Sequence, residues 1–140
     1  MAFTGNFSCN TLRAGLADGS INLTTDTFYL ALYTNDATLS QTTTEYTTTG
    51  ESTGGDYTAG GQVVTTTVSS EPSSSGSTTF VTFSSPSWTG QITARGALIY
   101  KAGTNGAVCV LDFGNTKTST SVFTVTMPAN TSTSALIRLV

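Results

Sequence analysis

An all-β fold, either a β-sandwich or a flattened barrel of mainly antiparallel strands with one short N-terminal helix, is what this sequence predicts. Three observations carry the prediction. Short apolar runs separated by turn formers recur along the chain, among them 27–34 (TFYLALYT), 93–100 (TARGALIY) and 107–113 (AVCVLDF), and such bounded runs read as strands. The Thr, Val, Phe and Tyr that fill them suit a pleated, half-buried surface. Only the stretch 8–19 carries a helical period.

With 140 residues, 37% of them hydrophobic, the chain is long enough for one domain that buries about two-thirds of its unfolded surface. The expected unit is a single domain over 1–140, with 1–7 as an extended N-terminal arm. In 8–19, Ser8 is placed to cap a helix, Leu12 and Leu16 lie four apart on one face, and Gly19 offers a stop. A helix this short is marginal alone, so its leucines are expected to dock on a sheet or a neighbouring subunit.

From Gly19 onward the period becomes two. In 27–34, Phe28, Leu30 and Leu32 alternate with Tyr29, Ala31 and Tyr33, which describes a strand covered on both faces. A turn at Asn35-Asp36 leads into 38–61, a long polar, Gly-rich stretch whose only aromatic anchors are Tyr46 and Tyr57. A loop of that length is either wrapped over a partner or a surface excursion pinned by its tyrosines. Residues 62–68 alternate as one strand, 69–77 (SSEPSSSGS) form a connection, and 78–83 resume a strand.

Trp88, the sole tryptophan, lies in 84–90 and is either a core plug or an exposed binding anchor. Residues 92–101 and 107–113 form a hairpin, because Asn105-Gly106 suits a tight return that needs positive φ. Gly96 inside the first of these strands marks a bulge or a close backbone approach. Strands at 121–127 and 134–140 complete a set of about seven or eight, the last tied into a sheet.

The composition restricts chemistry. Only 9% of residues are charged, against about a quarter in ordinary globular domains. The net charge of −3 gives no attraction to phosphate backbones or anionic membranes, so neither nucleic acid nor membrane is an expected partner. Acidic residues gather in the first half and basic ones in the second, which either lets copies meet head to tail or reflects scattered solvated charge.

There is no histidine, so the usual general base and transition-metal ligand are missing and no Ser–His–Asp or Cys–His arrangement can be assembled. No motif pairs two carboxylates at short range, and neither the alternating acids of an EF-hand nor a phosphate-binding glycine loop is present. The expectation is a protein that is not an enzyme, with no cofactor and no metal. Cys9 and Cys109 are too few for a disulfide framework; free buried thiols are expected, a bridge between them being the alternative. The first residues lack a basic segment followed by an apolar one, and no long apolar stretch follows, so synthesis in the cytoplasm without a membrane span is expected.

Four segments, T-D-T-F-Y-L-A-L-Y-T (25–34), D-Y-T-A-G-G (56–61), W-T-G-Q-I-T-A-R-G-A-L-I-Y (88–100) and V-L-D-F-G (110–114), taken in this order, resemble a group of small β-rich virion structural proteins of tailed bacteriophages. The resemblance spans nearly the whole chain. It implies a non-enzymatic component of the particle, a head decoration or cement protein made in the host cytoplasm and placed on the capsid exterior. It implies the major capsid protein and further copies of the chain as partners, in trimers rather than dimers. Phe3 and Phe7 of the arm, with Tyr46 and Tyr57 of the long loop, are the candidate interface residues. A glycan-binding module on a tail or fibre, using Tyr46, Tyr57 and Trp88, and a tail-tube or connector subunit are the alternative readings.

Overall fold

The apolar runs become, in the computed structural model, ten strands and one helix within the described residues 6–70, 78–131 and 134–139. They are β1 (Phe7–Ser8), α1 (Asn10–Asp18), β2 (Phe28–Tyr33), β3 (Gln62–Val64), β4 (Thr66–Ser70), β5 (Thr79–Phe83), β6 (Ser87–Thr89), β7 (Thr93–Lys101), β8 (Ala107–Thr118), β9 (Val122–Thr124) and β10 (Ile137–Leu139). Every strand pair is antiparallel. The fold is therefore all-β with one short helix. Five strands form the main sheet in the order β1-β8-β7-β2-β3, and two smaller sheets have the orders β10-β5-β4 and β6-β9. The main sheet ends at β1 and β3 without closing, so the layers resemble a sandwich and not a barrel.

β2 and β7 lie at the centre of the main sheet because both of their faces are apolar. Phe28, Leu30 and Leu32 of β2 join Ala97 and Ile99 of β7 in one core, where Val81, Phe83, Trp88, Phe123 and Ile137 of the smaller sheets and Leu12 of α1 cover them. On the opposite face Ala31, Tyr33, Leu98 and Tyr100 are covered by Ala37 and Leu39 of the loop after β2. Burying each large apolar side chain stabilises the fold by about 1.5–3 kcal/mol. Trp88, 3% exposed, is a core plug.

Helix α1 starts differently from expectation. Cys9, not Ser8, is its N-cap and makes no side-chain cap, because the β1–β8 ladder holds Ser8 extended opposite Cys109. The first helical amide, that of Asn10, donates instead to the Gln41 carbonyl at 2.8 Å. At the other end Gly19 closes the helix in the left-handed region, φ 82°, as its position foretold.

The run 62–68 is not one strand. It divides at Thr65 between β3 in the main sheet and β4 in the three-stranded sheet, and Thr65 exchanges hydrogen bonds with the amide and hydroxyl of Ser84. A period of two is blind to such a change of sheet. Ser69 and Ser70, expected in a connection, pair with Phe80 and Thr79; the remainder of that connection, 71–77, lies outside the described residues.

The β7–β8 hairpin forms, with positive φ at Gly103 (93°) and Asn105 (63°) and not at Gly106, since the return takes a longer turn in which the Asn105 amide donates to Lys101. β8 runs on to Thr118, paired with Thr93, past the last apolar residue where sequence hydropathy has no signal. The register shifts between Ala94 and Gly96, the bulge that Gly96 marked. Arg95 falls in it, and its guanidinium reaches Asp112 at 2.7 Å. Cys9 and Cys109 are free and buried in clusters on opposite faces of the main sheet.

Gly61 enters β3 with φ 83°, and an added Cβ would run into the Leu30 carbonyl. Gly19 has a similar φ with nothing near the same position. Gly19→Ala is therefore expected to cost only the left-handed penalty of about 1–2 kcal/mol, and Gly61→Ala at least about twice that, as measured by urea unfolding.

Candidate functional site

Of the chain's five tyrosines, Tyr46 and Tyr57 bond one half-buried carboxylate, Glu51, Tyr33 bridges to it through the backbone, and Tyr100 and Tyr29 extend a ring stack from Tyr46. β2 presents Tyr29 and Tyr33, and β7 presents Tyr100 opposite Tyr29. Tyr100 is the middle of a stack, with Tyr46 at 4.7 Å and Tyr29 at 5.9 Å between ring centres. The long loop supplies the other rings. Its backbone first meets the β7–β8 turn, where the Tyr46 amide donates to Asn105, and then returns along β2 through a bridge between Tyr33 and Glu51.

Glu51 accepts three hydrogen bonds. The Tyr46 hydroxyl donates to Oε1 at 2.7 Å, while the Tyr57 hydroxyl and the Gly60 amide donate to Oε2 at 2.6 and 2.7 Å. The Tyr57 oxygen accepts in turn from the Leu32 amide at 2.9 Å, so this ring joins the carboxylate to the backbone of β2. Tyr33 donates to the Thr47 carbonyl and Tyr100 to the Gly60 carbonyl, each at 2.6 Å. Hydrogen bonds to a charged acceptor are the stronger kind. The cluster closes the loop of 38–61 onto the sheet at both ends.

Burial pushes the Tyr100 hydroxyl up to about 12. Those of Tyr33, Tyr46 and Tyr57 are raised further, first by burial; at Tyr46 and Tyr57 the hydrogen bond to the Glu51 carboxylate adds to it, and at all three its charge does. At neutral pH every one of these hydroxyls stays a protonated donor. The arrangement therefore keeps its hydrogen bonds at neutral pH and holds the loop against β2. Burial likewise raises the Cys109 thiol, and that of Cys9 to about 11, which keeps both poor nucleophiles at neutral pH.

The proposed interface residues have different fates. Tyr46 and Tyr57 are half-buried with their hydroxyls on Glu51, and Tyr57 also leans on Trp88 at 5.5 Å. None of the three rings suggested for glycan binding forms an open stacking platform. Phe7 is half-buried on β1 opposite Val110, and Phe3 lies outside the described residues. Glu51 and Tyr100, which organise the loop, were not singled out by sequence, since contacts across 40 residues and an aperiodic loop leave no spacing to read.

A second feature surrounds the chain entry at β1. Asn6, whose Oδ1 accepts from the Asp112 amide at 2.6 Å, lines a groove of about 450 Å³ with Leu111, Phe113, Val125, Met127 and Leu136. A hollow of about 480 Å³ follows between α1 and β10, bordered by Leu16, Leu136 and Leu139 with Arg13 and Arg138. Among the described residues no three His, Cys, Asp or Glu side chains converge as metal ligands, and no helix is long and apolar enough to cross a membrane. Compared with known proteins, the chain matches no family model, no curated protein and no solved structure.

Two outcomes are expected from the Glu51 cluster. Glu51→Gln and Tyr57→Phe should each destabilise by about 1–3 kcal/mol, with a coupling of about 0.5 kcal/mol or more in the double-mutant cycle, measured by urea unfolding. In the unfolded chain tyrosine ionises near 10, whereas the folded hydroxyls keep their protons to higher pH. Above about pH 10 the folded state then binds more protons, so stability should fall as pH rises from about 10 through about 12, where Tyr100 ionises. Tyrosinate absorbance should rise together with loss of β signal in circular dichroism.

Proposed function

We propose that this chain is a non-enzymatic structural protein of a tailed-phage virion, a decoration or cement subunit that binds the outer face of the major capsid protein lattice and braces the head. The observation that carries the reading is the apolar groove beside β1, lined by Asn6, Leu111, Phe113, Val125, Met127 and Leu136. An apolar groove of about 450 Å³ at the chain entry offers a seat for an apolar segment of a neighbour.

The remaining supports are physical. A Thr- and Ser-rich surface with 9% charge offers short hydrogen-bonding groups that lose little side-chain entropy and carry little desolvation cost, which suits a repetitive lattice contact. The loop of 38–61, held by Glu51, presents a pre-ordered surface, so docking it loses little further freedom. Many such contacts on one shell add through avidity. The order of the four sequence segments is what points to a phage particle in particular.

The test is a cryo-electron map of the particle whose genome encodes this chain. Density on the capsid exterior is expected, with occupancy lost or strongly reduced when residues 1–7 are deleted. Full occupancy of the truncated protein would remove the arm from the reading, and density confined to the tail would overturn the decoration role.

A further inference from the structure

The outer edge of β4 differs from the other open edges among the described residues. β1 has two residues, and β3, β6, β9 and β10 have three each. β10 also carries Arg138 and borders the hollow beside α1. The outer side of β8 beyond Val110 carries Lys117 and turns at Gly114, φ 88°. Short strands, charges and kinks are the devices that blunt an edge against pairing. β4 is five residues, Thr-Thr-Val-Ser-Ser, in unbroken register with β5 and without charge, proline or glycine.

Its main-chain groups face outward in a defined phase. Thr65 directs its amide and carbonyl to Ser84, on the β5 side. In an antiparallel ladder these directions alternate by residue, so Thr66 and Val68 turn their amides and carbonyls to the open edge. Val68 is 39% exposed although Val81, directly opposite on β5, is fully buried. Among the described residues the apolar face of this sheet thus runs to its last strand, where Val68 is partly exposed.

We propose that β4 pairs antiparallel with β4 of a second copy of this chain across a two-fold axis at Val68, joining two three-stranded sheets into one of six strands. The outward phase sets the register: Val68 meets Val68, and Thr66 of each copy meets Ser70 of the other. A two-fold contact sets the residue on its axis against its own copy and residue i against residue j of the other chain; a charge at position 68 would repel itself, and residues 66–70 carry none. Among the described residues of this edge, 66–70, an acidic or basic partner finds nothing complementary. The pairing is independent of any role in a virion and gives a dimer, where the sequence resemblance implies a trimer.

The experiment uses the purified full chain. Sedimentation equilibrium is expected to give twice the 14.4 kDa chain mass, and Val68→Lys, which opposes two like charges across the axis, should weaken the dimer at least about tenfold while leaving circular dichroism unchanged. Val68→Cys should cross-link to a dimer under air oxidation, because Cα atoms of such a pair lie about 5.5 Å apart. Val122→Cys, on exposed β9, should not. A monomeric wild-type chain, an assembly that Val68→Lys leaves intact, or equal cross-linking at both positions would each overturn the proposal.

Discussion

The carboxylate of Glu51 gathers Tyr46, Tyr57 and Gly60 of one long loop at a single point beside β2. It is half-buried, and a half-buried carboxylate without donors would be costly. Tyr46, Tyr57 and the Gly60 amide provide those donors, and each comes from the same long loop. Because the Tyr57 oxygen also accepts from Leu32, satisfying the charge fixes the loop to β2. Tyr100 completes the arrangement from the sheet side, stacking on Tyr46 and donating to Gly60.

This arrangement bears on packing as well as on polar satisfaction. The second face of β2 and β7 is apolar, yet among the described residues no second sheet covers it; Ala37 and Leu39 of the loop do so, with Tyr46 packed against this cluster. Without the loop in place, Ala31, Tyr33 and Leu98 would meet water. Glycines permit the close course that this cover requires. Gly61 passes against the Leu30 carbonyl at a φ that only glycine adopts cheaply, and Gly50 does so beside the Ala37 backbone. The Gly-rich character of the loop reflects tight approach and not looseness.

The two remaining surfaces follow from the same layering. The smaller sheets cover one face of the main sheet only in part, which leaves the groove beside β1 and the hollow along α1 at one side. On the other side the chain crosses between sheets at Thr65, so β3 and β4 form consecutive edges of both layers. One of these edges, β4, has no charge to blunt it.

What the sequence by itself determined is local: the strands centred on Phe28–Tyr33 and Thr93–Lys101, the stop at Gly19, the bulge at Gly96 and the interior role of the apolar alternation. Each depends on side-chain period or on the backbone freedom of a single residue, and both are properties of adjacent positions. The tertiary structure decided the rest. It split 62–68 between two sheets, moved the helix cap from Ser8 to Cys9, carried β8 to Thr118 and brought Tyr46 and Tyr57 onto Glu51. Those outcomes depend on hydrogen-bond partners brought together from distant parts of the chain, and no period along a sequence encodes where a partner will stand.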